Sequence, residues 1–553
     1  MAGRWFQEAV IYCLDVETFQ DSNGDGIGDF AGLTSRLDYL ERLGATCLWL
    51  HPVHPTPNRD DGYDVSDFYG IDPRLGSLGD FVEFVQQAGA RGLRVMIDLV
   101  VNHVSDEHRW FKSGRSDPDS PFRDWFVWSK EKPDNLHQGV VFPGVQDQTW
   151  TYDEEAKAWY FHRFYEFMPD LNAANRRVRE EVKKIAAFWI QLGVAGFRMD
   201  AAPFVIEMTE PNNDNPPKDF DYLRELREFM AWRRGDTVIL AEANAEPDEL
   251  VEYFGSGDRL PMLFNFLLNQ KVFLGLARGE AGPVIEGIEA TPDIPATCQW
   301  STFLRNHDEV DLGRLTDEER QEVFSQFGPD KSMQLYDRGI RRRLAPMLGN
   351  DRRRLQMAYA LQFTLPGTPV LRYGEEIGMG DDLSLEERNA IRTPMQWDDG
   401  PNAGFSTCKP EDLYRPVITD GEFGYQEVNV LAQRRDPQSL LSWMERAVHT
   451  LRECPEFAVG RCQPLDSGAP SVLALRYEAP TGIMLAVTNL AGEHASLDLS
   501  GQLEDVDDEP VEVFADTDYS GTHPDLAKLE LDGYGYRWIR LRRSIGDPLV
   551  TTG

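Results

Sequence analysis

Positive charge is what this sequence most conspicuously lacks. Its 56 Lys and Arg stand against 93 Asp and Glu, a net −37. Phosphate backbones need basic surface, and anionic membranes attract polybasic segments, so neither nucleic acid nor a lipid surface is expected as a partner. Neutral small molecules are. The acidity itself reads as solubility or a high-salt habitat rather than as recruitment of a partner. Cysteine is sparse too: six residues, at 13, 47, 298, 408, 454 and 462, with no CxxC pair. Several lie in apolar runs, where reduced Cys acts as a small hydrophobe, which points to a reducing cytoplasm. No apolar run approaches the ~18 residues of a membrane span, and "MAGRWFQEAVIYCL" starts like a strand rather than a signal peptide. The oligomeric state is left open; a homo-oligomer is compatible.

What is present is alternation. Strand-like runs at 9–16, 46–52, 94–103, 194–202 ("VAGFRMDAA"), 238–244, 262–268, 302–308 and 368–376 are separated by helical periodicity. Eight β-then-α units in a chain of this size predict an α/β fold, a (β/α)8 TIM barrel with a parallel sheet. Between His103 and Asn175 the stretch is rich in Trp, Asp and Pro and too long for an empty loop. The division expected is barrel 1–103, inserted lid domain 104–175, barrel 176–454, and a C-terminal antiparallel β-sandwich over 455–553, where short strands such as "SVLALRYEAP" take over.

Polar residues gather at the ends of the strand-like runs: Asn102 and His103 on the third, Arg198 and Asp200 on the fourth, Glu242 on the fifth, and Asn306, His307 and Asp308 on the seventh. An Arg198–Asp200 pair alone could be an internal brace. Three carboxylates on one rim repel and desolvate one another, and that favours a chemical task. Glycoside chemistry needs such a set: one carboxylate to attack the anomeric carbon and one carboxylic acid to protonate the leaving oxygen. Arg198 would keep Asp200 ionised. Glu242, among the apolar residues of "ILAEAN", would be raised by desolvation into the range of a general acid. Asp308 would clamp sugar hydroxyls, with His103 and His307 donating further hydrogen bonds.

"DLVVNH", "GFRMDAA", "AEAN" and "FLRNHD" resemble, in order, the four signature segments of the α-amylase superfamily. The resemblance implies Asp200 as nucleophile, Glu242 as acid/base and Asp308 as transition-state stabiliser, supported by Arg198, His103 and His307. "RDDGYD" (59–64) and "RTPMQW" (392–397) are similar to exo-acting members, which implies that Asp60 and Arg392 pair on the terminal glucose while Tyr63 stacks on its ring. Longer runs such as "AEANAEPDELVEYFG" and "GIRRRLAPMLGNDRRRLQM" look like the branch that interconverts maltose and trehalose by intramolecular glucosyl transfer, with some hydrolysis to glucose. A hydrolytic exo-α-glucosidase is the alternative, and a catalytically dead scaffold a third reading. The arginines of "RRRL" by themselves read as a solvated helix face. "IYCLDVETF", "LHPVHPTP", "LRYGEE", and Met168 in "FMPDLN", depart from that branch's pattern.

In "DSNGDGIGD" (21–29), Asp21, Asn23, Asp25 and Asp29 alternate with glycines, a pattern suited to structural Ca2+; a Gly-rich turn with solvated acids is the plainer reading. Gly32 at the twelfth position excludes a full EF-hand. The resemblance implies the Ile27 carbonyl as a further ligand and a second calcium site at Asn102 and Asp170; a hydrogen-bonding brace of the barrel is the other reading of Asn102. No organic cofactor is expected.

Overall fold

The computed structural model describes residues 4–503, 506, 509–519 and 523–542. Eight strands, all pairing in parallel, close a barrel: β1 (Ile11–Leu14), β2 (Cys47–Leu50), β3 (Arg94–Leu99), β4 (Gly196–Met199), β5 (Val238–Ala241), β6 (Met262–Phe264), β7 (Gln299–Phe303) and β8 (Thr368–Arg372). The period-2 alternation of each strand builds two cores. Ile11, Cys13, Cys47, Trp49, Met96, Val238, Leu240 and Val370 fill the interior. Tyr12, Leu14, Leu48, Leu50, Val95, Ile97, Ile239 and Leu371 face outward into the helical layer. Such a barrel is a filled core rather than a pore.

Seven strands lie inside their expected runs, each shorter; β7 begins earlier than expected, at Gln299 instead of Thr302, and ends at Phe303, so Asn306, His307 and Asp308 follow it on the rim loop. Asn102 and His103 are not part of β3; they follow its end at Leu99, where the Asn102 carbonyl accepts from Leu171 N and His103 bridges to Asp170. The parallel ladder stops once the chain turns over the rim, and the freed backbone groups pair with the insertion instead. "MLFNFLL" divides likewise: Asn265 caps a helix, Phe266–Arg278, so only its first three residues remain strand.

Within 104–175 the chain forms a helix, Arg109–Ser116, and a three-stranded antiparallel sheet of Trp128–Ser129, Ala158–Phe161 and Trp150–Asp153. Beyond 455 a five-stranded antiparallel sheet (461–465, 472–479, 482–489, 536–541, 511–515 in spatial order) and a two-stranded ladder (495–497 with 529–531) follow. Alternate residues of the larger sheet serve two faces: Leu473, Leu475 and Tyr477 pack into the main core, and Val472 and Ala474 into a separate one with Leu497, Leu529 and Leu531. Of the expected barrel and sandwich segments, residues 1–3, 504–505, 507–508, 520–522 and 543–553 lie outside the described residues. No helix among the described residues is long and apolar enough to cross a membrane.

Candidate active site

Arg198 is the inward-facing residue of β4 and, at 2 % exposure, one of the largest fully buried side chains. Its guanidinium joins the tips of three strands. Nη1 donates to Asp98 Oδ1 (2.7 Å) from β3 and to Asp200 Oδ1 (2.6 Å) just past β4, and Nη2 contacts Glu242 just past β5. Burial works against the Arg198 charge, but Glu242, Asp98 and Asp200 outweigh it and hold the guanidinium well above its ordinary range. Losing Arg198 itself would leave the fully buried Asp98 without its cation, which costs on the order of 3–5 kcal/mol. Directly after Asp200 the backbone turns left-handed at Ala201 (φ 48°). A non-glycine residue there costs about 1–3 kcal/mol, and such positions cluster where a side chain must be aimed.

Burial pushes Glu242 up to about 8, with Asp200 and Asp308 adding to the rise and Arg198 opposing it. Its side chain keeps 28 % exposure, and it lines the cavity. Asp308 goes the other way. Burial would raise it, yet Arg388, Arg392 and Arg198 together hold its carboxyl below the usual carboxylate range. Arg388 Nε and Arg392 Nη2 each stand 3.2 Å from Asp308 Oδ1, and His307 Nε2 stands 3.2 Å from Oδ2. Two carboxyls on one rim are thus driven apart in acidity, the arrangement that separates a proton donor from a permanent anion.

Tyr63 and His307 form the floor. Their rings are parallel within 8°, and the Tyr63 hydroxyl lies 2.7 Å from His307 Nε2. His103 Nε2 reaches the Tyr63 carbonyl at 3.2 Å. Asp60, Tyr63, His103, Asp200, Glu242, His307 and Asp308 all line one cavity of about 880 Å³, as does Met168. Arg392 stands behind it. Its partner is Asp61, not Asp60. Asp61 sits at φ 48°, which turns its carboxylate inward to Arg392 and Arg415, while Asp60 is left on the cavity wall, pushed by burial to about 7.

Asp61, Asp98, Arg388 and Arg415 were missed from the sequence. Asp98 was findable: it shares inward parity with Met96 on a strand in register with Arg198. Arg388, in the charged run "LEERNAIRTP", carries no such signal. The "RRRL" arginines divide. Arg352 and Arg353 are exposed, but Arg341 and Arg343 are buried, contrary to the solvated-face expectation. Arg343 donates to the Tyr373 carbonyl and pairs with Glu375 (3.2 Å), and Arg341 binds the carbonyls of Ser332, Leu383, Leu385 and Glu387. No helix covers that stretch beyond a single turn, Leu344–Met347, so the arginines serve loop carbonyls instead.

The loop at 21–29 offers only oxygen donors, the chemistry of a hard cation. Asp21, Asn23 and Asp25 each accept a backbone N–H two residues on, and a Cβ at Gly26 would meet the Asp412 carbonyl at 2.3 Å. Asp29 is committed elsewhere, accepting from Ser22 and from Gly32 N as the cap of the helix Phe30–Ser35. Asn102 and Asp170 do meet: the Asn102 amide donates to Asp170 Oδ2 at 3.1 Å, and Arg163 N donates to Oδ1 at 2.8 Å. That is the geometry of a brace between rim and insertion.

A closed parallel barrel that gathers three carboxylates and one shared guanidinium over a sugar-sized cavity defines the class of α-glycoside-active barrel enzymes. The family model for the alpha-amylase catalytic domain matches residues 14–459, and the chain belongs to that family. It is 41 % identical over 554 residues to the trehalose synthase of Pimelobacter sp. (97 % of this chain, 96 % of that one). Over 557 residues it is 40 % identical to the trehalose synthase/amylase TreS of Mycolicibacterium smegmatis (98 % and 94 %). The solved alpha-amylase of H. orenii superposes with a TM-score of 0.78 at 26 % identity, covering 97 % of this chain and 99 % of that one.

Proposed function

We propose that this enzyme isomerises maltose to trehalose by retaining, intramolecular α-glucosyl transfer. The observation that carries the reading is the Arg198 guanidinium held between Asp200 and Glu242, with Asp308 kept anionic across the same cavity. Asp200 attacks the anomeric carbon of the non-reducing glucose while Glu242 gives its proton to the departing O4. The carboxylate left on Glu242 is stabilised by Arg198. The freed glucose turns within the cavity, and its own anomeric hydroxyl attacks the glucosyl ester as Glu242 takes the proton back. Asp308, Tyr63, His103 and His307 hold the donor ring, and Asp60 closes its far end, while Arg392 acts from behind the wall by fixing Asp308. Similarity to enzymes named for trehalose synthesis supports the same reaction.

The test is incubation with maltose and separation of the products. Trehalose as the main product, with glucose minor, is the expected result; glucose alone would establish the hydrolytic α-glucosidase instead.

Asp21, Asn23, Asp25 and the Ile27 carbonyl would hold Ca2+, with Asp29 sharing an oxygen already used as a helix cap. The ion would neutralise clustered charge and cross-link the loop, none of whose residues lines the sugar cavity. A metal at 100 times its Kd stabilises the fold by about 2.7 kcal/mol. Chelation is therefore expected to lower Tm, and added calcium to restore it, with kcat at lower temperature unchanged. Six unpaired thiols support a cytoplasmic location.

A further inference from the structure

Beneath the sugar cavity lie three donors whose atoms the glucosyl transfer leaves partly unused. Cys13 points inward from β1, His51 follows β2, and His307 follows β7. One ligand atom from each stands within 4.8 Å of the other two, and all three residues are buried. Cys13 Sγ is 3.0 Å from His51 Nε2, and the two imidazole centroids are 4.3 Å apart. His307 spends Nε2 on Tyr63 and Asp308, but its Nδ1 is buried with no hydrogen-bond partner. An orphaned buried nitrogen forgoes on the order of 1–3 kcal/mol. Here it belongs to a metal-ligating side chain beside a thiol.

We propose that Cys13, His51 and His307 form a binding site for a soft monovalent cation of the copper(I) or silver(I) type, and that its occupancy switches glucosyl transfer off. Ligand softness selects the element: one sulfur and two imidazoles suit copper(I). Charge selects the valence. Arg372, Arg198 and Asp98, with Asp308 beyond, are the charged groups that act on Cys13. Burial keeps its thiol protonated, pushed up to about 12, and both imidazoles neutral, well below their ordinary range. A monovalent ion replaces the thiol proton one for one, Cys–SH + M⁺ → Cys–S–M + H⁺, and leaves the site's charge unchanged. A divalent ion would leave an extra positive charge next to Arg198 and Arg372. Ligands bonded at about 2.0–2.3 Å to one ion stand about 3.3–3.8 Å apart, so the donors need shift by only about half an ångström. Tyr63 and His307 line the cavity, which is the way in. Anchoring His307 to the ion through Nδ1 displaces its ring, and with it the Nε2 contacts to Tyr63 (2.7 Å) and Asp308 (3.2 Å) that hold the donor sugar's floor.

The experiment is calorimetric titration of the full chain with Ag⁺ in chloride-free buffer. It uses a Cys408→Ser, Cys462→Ser background, because those two thiols are only partly buried. One tight ion per chain is expected, with one proton released, so that apparent affinity rises tenfold per pH unit. One equivalent should abolish turnover of maltose. Cys13→Ala and Cys13→Ser, two variants so that one folding failure does not end the test, should each bind Ag⁺ at least 100-fold more weakly and keep their own activity at one equivalent. His51→Ala should bind at least tenfold more weakly. Unchanged binding in the Cys13 variants, or binding without proton release, overturns the site; tight binding with full activity overturns the switch. The binding arms contain no sugar, so they stand or fall separately from the maltose reading.

Discussion

At the residue scale the site depends on one cation shared by three carboxyl groups of different acidity. Asp200→Asn retains shape and packing but removes the attacking charge, so kcat is expected to fall by at least about 10³ with KM little changed, since the lost group acts on the transition state. Glu242 governs the pH profile. The transfer needs its proton, and burial raises its pKa to about 8; kcat/KM is therefore expected to hold through neutrality and decline as pH rises through about 8. Glu242→Gln should abolish that alkaline limb along with most activity. A limb that survives in the Gln variant assigns it to another group. These chemical residues were legible in the sequence because charge inside an apolar run is costly: Arg198, Asp200 and Glu242 break such runs, and Asp308 closes the polar cluster that ends another. Asp61 was not, because its role depends on a left-handed φ and on Arg415, more than 350 positions away (|i−j| = 354).

Elements decide what surrounds that chemistry. Phe142 of the insertion stacks on Tyr165 (5.1 Å) and packs at a tilt against Tyr336 (4.9 Å) of the segment after β7, and Arg388 lies over the Phe142 ring at 5.1 Å. Arg338 donates to the Val141 carbonyl at 3.1 Å, so a second bond pins the same two segments across the cavity. Each aromatic pair contributes about 0.5–1.5 kcal/mol. Phe142→Ala is thus expected to loosen the closure without touching the carboxylates, raising the glucose-to-trehalose ratio from maltose several-fold at nearly constant total turnover. An unchanged ratio means that other contacts keep water out. Strand positions were readable from periodicity and the insertion from its length, but this seam was not: it joins residues nearly 200 positions apart through rings that look like ordinary core aromatics in sequence.

For the whole molecule, the acidic excess sets the response to salt. With 93 acids against 56 bases, 37 negative charges have no basic counterpart. Two effects compete when salt is added. Screening weakens attractive surface pairs, but each is worth only about 0–1 kcal/mol, and the pairs that brace the site, Arg198 with Asp98 and Arg343 with Glu375, have side chains no more than 3 % exposed, where mobile ions screen little. Screening also relieves repulsion summed over the unmatched acids, which destabilises the compact state. The second effect is larger at this charge. Raising NaCl from about 10 mM to about 0.5 M contracts the Debye length from roughly 30 Å to a few ångströms, and Tm at pH 8 is expected to rise by several degrees. Lowering pH toward 5 acts in the same direction: Asp60 and Asp98, both pushed to about 7 by burial, bind protons more tightly folded than unfolded, so their stabilising contribution is present at low pH and is lost as pH rises through 7. Scanning Tm over salt at pH 8 and at pH 5.5 separates the two contributions. A Tm that falls with salt at pH 8 would mean that exposed ion pairs, rather than repulsion, dominate this surface.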